Sequence, residues 1–160
     1  MENKHISKSS FKSGHKEIIG ETIAKLKLFY EGYNVYSRFL DIDAVDFIVR
    51  HRKGRIITYK EIQMKYSKYY PKNKDYWHGI NKSTFEARDN FFFMFICGDD
   101  DHIFFIPSKK ISNWLKKLPN TEKRWHIHIK GLDNIWYLAA KRGISPINIT
   151  KYLNQFNLLK

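Results

Sequence analysis

The feature that most constrains the fold is a pair of short β-strand patterns joined by a basic turn. The first, residues 44–51, is mostly apolar, and the second, residues 55–64, begins with β-branched and aromatic side chains. Lys53 and Gly54 lie between the two patterns, and a short turn with glycine commonly joins antiparallel strands. The sequence therefore predicts a β-hairpin around which the rest of the chain is arranged.

Acidic side chains enter this otherwise apolar hairpin. Side chains alternate along a strand, so Glu61 and Gln63 share one face while Ile62 points to the other. If the two strands pair as neighbours, Asp46 lies beside Glu61. Burying two carboxylates is costly unless a cation binds between them, and Mg²⁺ often takes only one or two protein carboxylates. The alternative is that Asp46 is a turn or edge residue and that Glu61 faces solvent.

This order, an aspartate, then a hairpin and then Glu-x-Gln, resembles the pattern of the PD-(D/E)xK nuclease superfamily. The superfamily includes many restriction enzymes, Holliday junction resolvases and some homing endonucleases. The chain departs from the family pattern at Val45, where the family has proline, and at Gln63, where it usually has lysine and some restriction enzymes have glutamine. In the family an acidic residue on the preceding helix often completes the site. The helical pattern of residues 15–31 carries Glu21, with Glu17 as its rival one turn earlier, and the alternative for both is a solvated helix face.

The resemblance implies an α/β fold, with a restriction-endonuclease-like mixed central sheet flanked by helices, and a metal-dependent phosphodiester hydrolysis. Asp46 and Glu61 would bind one or two Mg²⁺ ions, for which Mn²⁺ can substitute. Glu21 would contribute through an outer-shell water or a second metal. Gln63 would orient the attacking water or contact the phosphate. Lys65, two residues later on the same strand face, would supply the positive charge that the glutamine lacks.

The charge balance favours a polyanionic partner. The chain has 29 Lys plus Arg against 16 Asp plus Glu, a formal charge of +13, which attracts nucleic acid first and anionic membrane second. No apolar run approaches the ~20 residues that a membrane span needs, and the N-terminus lacks the apolar core of a signal peptide. The single cysteine, Cys97, excludes an internal disulfide framework and suits a reducing cytoplasm.

Further elements are predicted after the hairpin. The apolar residues 91–97 predict a buried strand and residues 102–106 its returning partner. Residues 108–118 predict a helix capped by Ser108, and the alternating residues 125–129 predict another strand.

Residues 66–90 interleave tyrosines with lysines, and Pro71 and Gly79 argue against one continuous element. We expect an irregular stretch with a short helix at residues 81–87, which either faces DNA or is an ordinary surface loop. The cations expected to hold the phosphates beyond the cleavage site are Arg50, Arg52, Lys53, Lys68, Lys72 and Lys74.

The C-terminal residues 135–153 are similar to a helix-turn-helix. Ala139, Gly143 and Ile149 have the spacing of a small residue, a turn glycine and an apolar residue that packs the second helix back. The alternative is a pair of helices that only completes the core. The residues placed to contact bases or phosphates are Asn148, Thr150 and Lys151.

Three segments are predicted: a flexible basic arm at residues 1–14, a nuclease core at 15–130 and a C-terminal helical segment at 131–160. The predicted function is a cytoplasmic, metal-dependent, site-specific endonuclease of double-stranded DNA, of the homing or type II restriction type. A duplex has two strands to cut, so we expect a homodimer or a higher even homo-oligomer. A structure-specific nuclease similar to Holliday junction resolvases, a non-catalytic helix-turn-helix DNA-binding regulator and an RNA-directed protein are the alternatives.

Overall fold

The computed structural model describes residues 13–37, 44–98, 102–118, 122–140 and 144–160. The predictions made for residues 1–12 and for Gly143 lie outside the described residues.

The described residues form one long helix, one short helix and two β-sheets, followed by two single 3-10 turns. In chain order the elements are α1 (Ser13–Tyr30), β1 (Asn34–Ser37), β2 (Phe47–Lys53), β3 (Ile56–Ser67), β4 (Tyr69–Tyr70), β5 (Asp75–Asn81), β6 (Phe91–Cys97), β7 (His102–Pro107), α2 (Ser108–Leu115), β8 (Arg124–Leu132), β9 (Ile135–Ala139), β10 (Ile147–Asn148) and the 3-10 turns Thr150–Tyr152 and Phe156–Leu159. Neither helix of the described ranges is both long and apolar enough to span a membrane.

The first sheet has the strand order β1-β2-β3-β6-β7. It is mixed, because β3 and β6 run parallel while the other neighbours run antiparallel. The predicted hairpin is confirmed: β2 pairs with β3, Phe47 lies opposite Ile62, and Gly54 turns the chain at a φ of 63° that glycine adopts without strain. Every residue of β6 is buried, as its uninterrupted apolar sequence predicts.

The second sheet is antiparallel throughout, in the order β10-β9-β8-β5-β4, and it covers one face of the first sheet. The core between the sheets contains side chains from both, such as Phe93, Phe95, Ile80 and Ile127. The opposite face of the first sheet packs on α1. That second core is formed by residues such as Ala24, Leu28, Phe47, Ile62 and Met94.

The α/β class and the mixed sheet of the prediction are confirmed, but the C-terminal helical segment is wrong. Residues 135–139 form β9, which pairs with β8 across a turn where Asp133 and Asn134 have φ values of 49° and 63°. Asparagine and aspartate tolerate these left-handed conformations, which favour a tight hairpin turn. The residues expected to form the second helix contain the two-residue strand β10 and a 3-10 turn.

Two smaller predictions also fail. The stretch 66–90 is more regular than expected because it contains β5, a strand of the second sheet, and no helix forms at residues 81–87. Ser108 begins α2 but makes no capping hydrogen bond. Its buried hydroxyl instead accepts a hydrogen bond from the backbone N–H of Arg88 and donates one to the Arg88 carbonyl, at 3.0 and 2.9 Å.

Candidate active site

A cleft of about 360 Å³ lies where α1, the start of β2, the second half of β3 and the middle of β5 meet. Its walls carry three carboxylates and several cations, which is the composition of a site for a charged ligand. The lining residues are Lys16, Glu17, Glu21, Asp46, Met64, Lys65, Tyr66, Ser67, Lys68, Tyr70, Trp77, His78 and Gly79.

The close approach of α1 to β3 brings two of the carboxylates to the cleft. A Cβ atom at Gly20 would lie 2.6 Å from the Cβ of Tyr66, so only glycine permits this approach. Glu17 and Glu21 lie on either side of Gly20 in sequence, and both line the cleft. Glu21 also forms an exposed ion pair with Lys25 at 3.2 Å.

The third carboxylate is held by the strand register. The backbone N–H of Asp46 donates to the carbonyl of Ile62 at 2.8 Å, and its Oδ2 accepts the N–H of Met64 at 2.6 Å. Phe47 is paired with Ile62, so the residue across from Asp46 is Gln63. Asp46 is therefore fixed, just before the start of β2, by backbone groups of β3.

Alternation along β3 decides which side chains accompany Asp46. Ile62 and Met64 belong to the core under α1, so Gln63 and Lys65 project from the opposite face, toward the second sheet. Lys65 lines the cleft. Gln63 is buried and does not line it. The cleft thus contains both Asp46 and Lys65. Gln63 is buried across from Asp46 and lies outside the lining of the cleft.

Glu61 does not reach this cleft. It lies across from Ile48, and its carboxylate forms an ion pair with Arg88 at 2.9 Å. The two side chains line a separate depression with Tyr59 and Asn90. The register places Gln63, and not Glu61, directly across from Asp46, and of Glu61 and Lys65 only Lys65 lines the cleft.

The donor set of the cleft fits a hard divalent cation. Among the described residues, no group of three or more His, Cys, Asp or Glu side chains is close enough to form a ready-made metal cage. Mg²⁺ seldom needs one, because it keeps several waters and takes one or two carboxylates together with substrate phosphates. Asp46 with Glu21 or Glu17 can provide those carboxylates.

His78 is a residue of the cleft that the sequence argument missed. Its side chain is 2% exposed, and neither ring nitrogen has a hydrogen-bond partner among the described residues. Burial, followed by the nearby charges of Lys65 and His128, lowers the pKa of His78 to about 3. The available signal was the alternation of Tyr76, His78 and Ile80 on one face of a strand, within the stretch assigned as irregular.

The predicted phosphate-binding cations occupy two regions. Arg50, Arg52 and Lys53 lie on β2, and the Nε of Arg52 donates to the carbonyl of Gly54 at 2.9 Å. Lys68 lines the cleft. The remaining predicted cations, Lys72 and Lys74, are exposed in the turn between β4 and β5.

The C-terminal residues assigned to DNA contact hold the local chain instead of projecting from a recognition helix. Asn148 Oδ1 accepts the N–H of Thr150 at 2.9 Å, and the Thr150 hydroxyl accepts the N–H of Trp136 at 2.8 Å. The ammonium of Lys151 lies 5.2 Å from the ring centroid of Tyr152. These contacts stabilise the turn after β10.

Comparison with known proteins shows what the fold is similar to. No protein-family model and no curated protein matches the chain. Among solved structures, the chain is similar to the bacterial homing endonuclease I-Ssp6803I, with a TM-score of 0.63 and 16% sequence identity. The alignment covers 92% of this chain and 91% of the other. At this identity the likeness establishes a shared fold along nearly the whole chain.

Proposed function

We propose that the protein is a metal-dependent endonuclease that hydrolyses phosphodiester bonds in double-stranded DNA. The observation that carries the proposal is the joint placement of Asp46, Glu21 and Lys65 around one cleft. Carboxylates for a cation beside an ammonium for a phosphate are the groups that phosphodiester hydrolysis requires. The fold shared with a homing endonuclease supports this choice, and the formal charge of +13 fits a polyanionic substrate.

Asp46 is the natural principal ligand for Mg²⁺ or Mn²⁺, with Glu21 or Glu17 completing the protein's share. A bound divalent ion would lower the pKa of a water and stabilise charge on the phosphate. The Met64 N–H that donates to Asp46 keeps this carboxylate oriented toward the cleft. Lys65 would contact the scissile phosphate and stabilise the charge that develops there. Gln63, as an amide, can orient a water but cannot serve as a cation.

Glu61 distinguishes two assignments of the motif. In the assignment predicted from sequence, Glu61-x-Gln63 supplies a metal ligand and Lys65 only assists. In the assignment that the lining of the cleft favours, Gln63-x-Lys65 is the functional pair, and Glu61 stabilises the structure through Arg88. We propose the second assignment because, of Glu61 and Lys65, only Lys65 shares the cleft with Asp46.

The β2–β3 hairpin offers a surface for the duplex beside the cleft. Phe47 and Val49 belong to the core under α1, so Arg50 and Arg52 alternate onto the face that also carries Asp46. β6 pairs with β3 only from Glu61 onward, so the tip of the hairpin extends beyond it. We propose that these arginines bind phosphates next to the cleavage site.

The test incubates the protein with duplex DNA of high sequence complexity and with four-way junctions, in Mg²⁺, in Mn²⁺ or in EDTA. Asp46→Asn and Lys65→Met are the active-site variants, and Lys110→Ala, an exposed change on α2, is the matched control. Discrete duplex fragments that require the metal, Asp46 and Lys65 would support a site-specific endonuclease of the homing or restriction type. Cutting confined to junctions would indicate a structure-specific nuclease, whereas tight binding without cutting would overturn the proposal.

A further inference from the structure

One edge of β5 faces the cleft without a partner strand. On one side β5 pairs with β8 along residues 76–81, but on the other side β4 pairs only with Asp75 and Tyr76. Among the described strands none pairs with this second edge beyond Tyr76. The next three residues, Trp77, His78 and Gly79, line the cleft. Unpaired backbone groups at a strand edge can pair with another molecule.

The register of β5 decides which backbone groups face that edge. In an antiparallel pair, successive residues direct their N–H and C=O groups alternately toward the partner strand and away from it. The N–H of Lys82 donates to the carbonyl of Lys123 at 3.1 Å, which continues the β5–β8 register by one residue. The even-numbered residues of β5 therefore face β8, and the odd-numbered ones, among them Trp77 and Gly79, face the unpaired edge.

A hydrogen bond at the start of this edge agrees with that direction. The backbone N–H of Trp77 points away from β8 and donates to the hydroxyl of Ser67 at 3.0 Å. Gly79, two residues later, directs its N–H the same way, and within the described ranges no side chain or backbone group accepts it. The Gly79 N–H is therefore a donor that the free protein leaves to whatever occupies the cleft.

The conformation of the free protein does not require glycine at this position. The pairing of β5 with β8 continues through Gly79 without a bulge, and its φ is not in the left-handed region. An added Cβ would lie 3.7 Å from Cδ of Arg124, which is an ordinary contact, and would project from the face of the sheet instead of its edge. Glycine inside a strand often marks a place where a ligand approaches the backbone.

The charges around this N–H suit a phosphate. Lys16, Lys65 and Lys68 line the same cleft. An ammonium on a long side chain attracts an anion from many directions, whereas a peptide N–H held in a sheet donates in one direction only. Hydrogen bonds from backbone N–H groups to charged oxygens are also among the stronger ones in proteins. The cations and the fixed donor together can bind and orient one phosphate group.

We infer that the peptide N–H of Gly79 donates a hydrogen bond to a non-bridging oxygen of the phosphate bound in the cleft, and that it stabilises the negative charge that develops there during cleavage. The second half of this inference rests on the proposed nuclease function. The first half does not, because phosphate binding can be measured without cleavage.

The experiment compares Gly79→Pro, Gly79→Ala and Asn81→Pro. Proline removes the N–H without breaking a bond to β8, and alanine keeps the N–H. Asn81→Pro removes the next N–H along the same edge, outside the cleft, and so controls for the strain of proline in β5. Cleavage kinetics in Mg²⁺ and circular dichroism are measured for each variant. In the wild type, the Gly79 amide is followed by NMR during titration with thymidine 5′-monophosphate in Mg²⁺, with thymidine as the phosphate-free control.

We expect Gly79→Pro to lower kcat by about 10²-fold with little change in KM, as the loss of one backbone-type donor to a developing oxyanion does. Gly79→Ala and Asn81→Pro should lose far less. The Gly79 amide proton should shift downfield with the nucleotide and not with thymidine. Equal losses in the two proline variants, or a Gly79 amide that the nucleotide leaves unmoved, would overturn the inference.

Two results separate this inference from the proposed function. If Gly79→Pro does not fold, the amide titration of the wild type decides whether the N–H binds phosphate. If the wild type cuts no DNA, the nuclease proposal fails, and the same titration still decides the first half of the inference.

Discussion

Lys65 and Glu61 lie on the same face of β3, four residues apart, yet their surroundings differ. Lys65 lines the cleft with Asp46, whereas Glu61 is paired with Arg88. We therefore expect Lys65→Met to reduce kcat for duplex cleavage by at least about 10²-fold, through lost stabilisation of charge on the phosphate. Single-turnover cleavage assays at saturating metal would measure this loss.

Glu61→Gln tests the second of these two side chains on the same face of β3. Glu61 and Arg88 are each about one-third exposed, at 38% and 31%, so the ion pair is screened and its loss should cost no more than about 1 kcal/mol of stability. We expect near wild-type cleavage by this variant once folding is controlled by circular dichroism. A Glu61→Gln variant that is fully folded yet inactive would indicate that Glu61 belongs to the metal site, and it would contradict the Gln63-x-Lys65 assignment.

The buried imidazole of His78 also makes a prediction about acid stability. The unfolded residue gains a proton below about pH 6.5, whereas the folded residue stays neutral down to about 3. In that window the unfolded state binds more protons, so the free energy of unfolding decreases as pH falls, by at most about 1.4 kcal/mol per pH unit from this residue. In urea unfolding at about pH 7 and about pH 5, His78→Phe should lose less stability than the wild type between the two conditions. An identical loss in both proteins would contradict the neutral buried state.

At the scale of elements, we expect the β2–β3 hairpin to contribute to the affinity for duplex DNA more than to the rate of the cleavage step. Replacing Arg50 and Arg52 by alanine should weaken duplex binding in Ca²⁺ and lower the magnitude of the salt slope by roughly 2, since each phosphate contact contributes about 0.9. The control replaces Lys116 and Lys117, which are exposed after α2. Fluorescence anisotropy across a salt series would measure the affinity and the salt slope of each double variant. Equal losses in the two double variants would mean that binding follows net charge and not the hairpin.

The elements that sequence could predict are those whose pattern fits one structure only. Alternation and Gly54 define the β2–β3 hairpin, and the seven apolar residues of β6 suit a strand buried on both faces. The run Ile135–Ala139 suits either a strand or a helix turn, and only its pairing with β8 decides between them. Tertiary contacts of this kind are not visible in local sequence.

The sequence could indicate the residues of the candidate cleft only in part, for a related reason. Asp46, Glu21 and Lys65 could be found as candidates, but Glu61-x-Gln63 and Gln63-x-Lys65 differ by two residues. A shift of two leaves every side chain on the same face of the strand, so alternation cannot distinguish the two motifs. The pairing of Phe47 with Ile62 does not distinguish them either, because it places Gln63 across from Asp46 with Glu61 and Lys65 on either side of it. The cleft distinguishes them, since Lys65 lines it whereas Glu61 is paired with Arg88. His78 could not be predicted as a residue of the cleft, because β5 meets β3 only in the folded molecule.

The C-terminal segment belongs to the core rather than to a separable DNA reader. Phe156 and Leu159 pack in the core under α1, and the hydroxyl of buried Tyr33 donates to the Phe156 carbonyl at 2.7 Å. We expect Phe156→Ala to lower the free energy of unfolding by about 3 kcal/mol, as for other large-to-small core changes. Chemical denaturation would test this. A loss under about 1 kcal/mol would show that the segment is only loosely attached.

At the scale of the whole molecule, the cleft takes its residues from every layer. α1 supplies Glu21, the first sheet supplies Asp46 and Lys65, and the second sheet supplies His78. The three layers are held by two separate cores. A change that shifts one layer should therefore alter the cleft without touching its residues, so cleavage should be more sensitive than global stability to core changes at the layer boundaries.

Under the proposed function, the one cleft of this kind among the described residues would cut one strand, so two cuts in a duplex would require a second copy. The face of α1 beside the edge strand β1 suits that contact, because Leu26, Phe29 and Tyr36 are 50%, 70% and 52% exposed and line one groove. Exposed apolar residues clustered in this way mark association surfaces. We expect sedimentation equilibrium to give an even multiple of the 19.3 kDa chain mass. Leu26→Ser with Phe29→Ser should yield a monomer that nicks one strand, whereas Leu132→Ser, an exposed apolar change at the β8–β9 turn, should leave the assembly intact. A wild-type monomer that makes double-strand breaks would refute the requirement for a second copy.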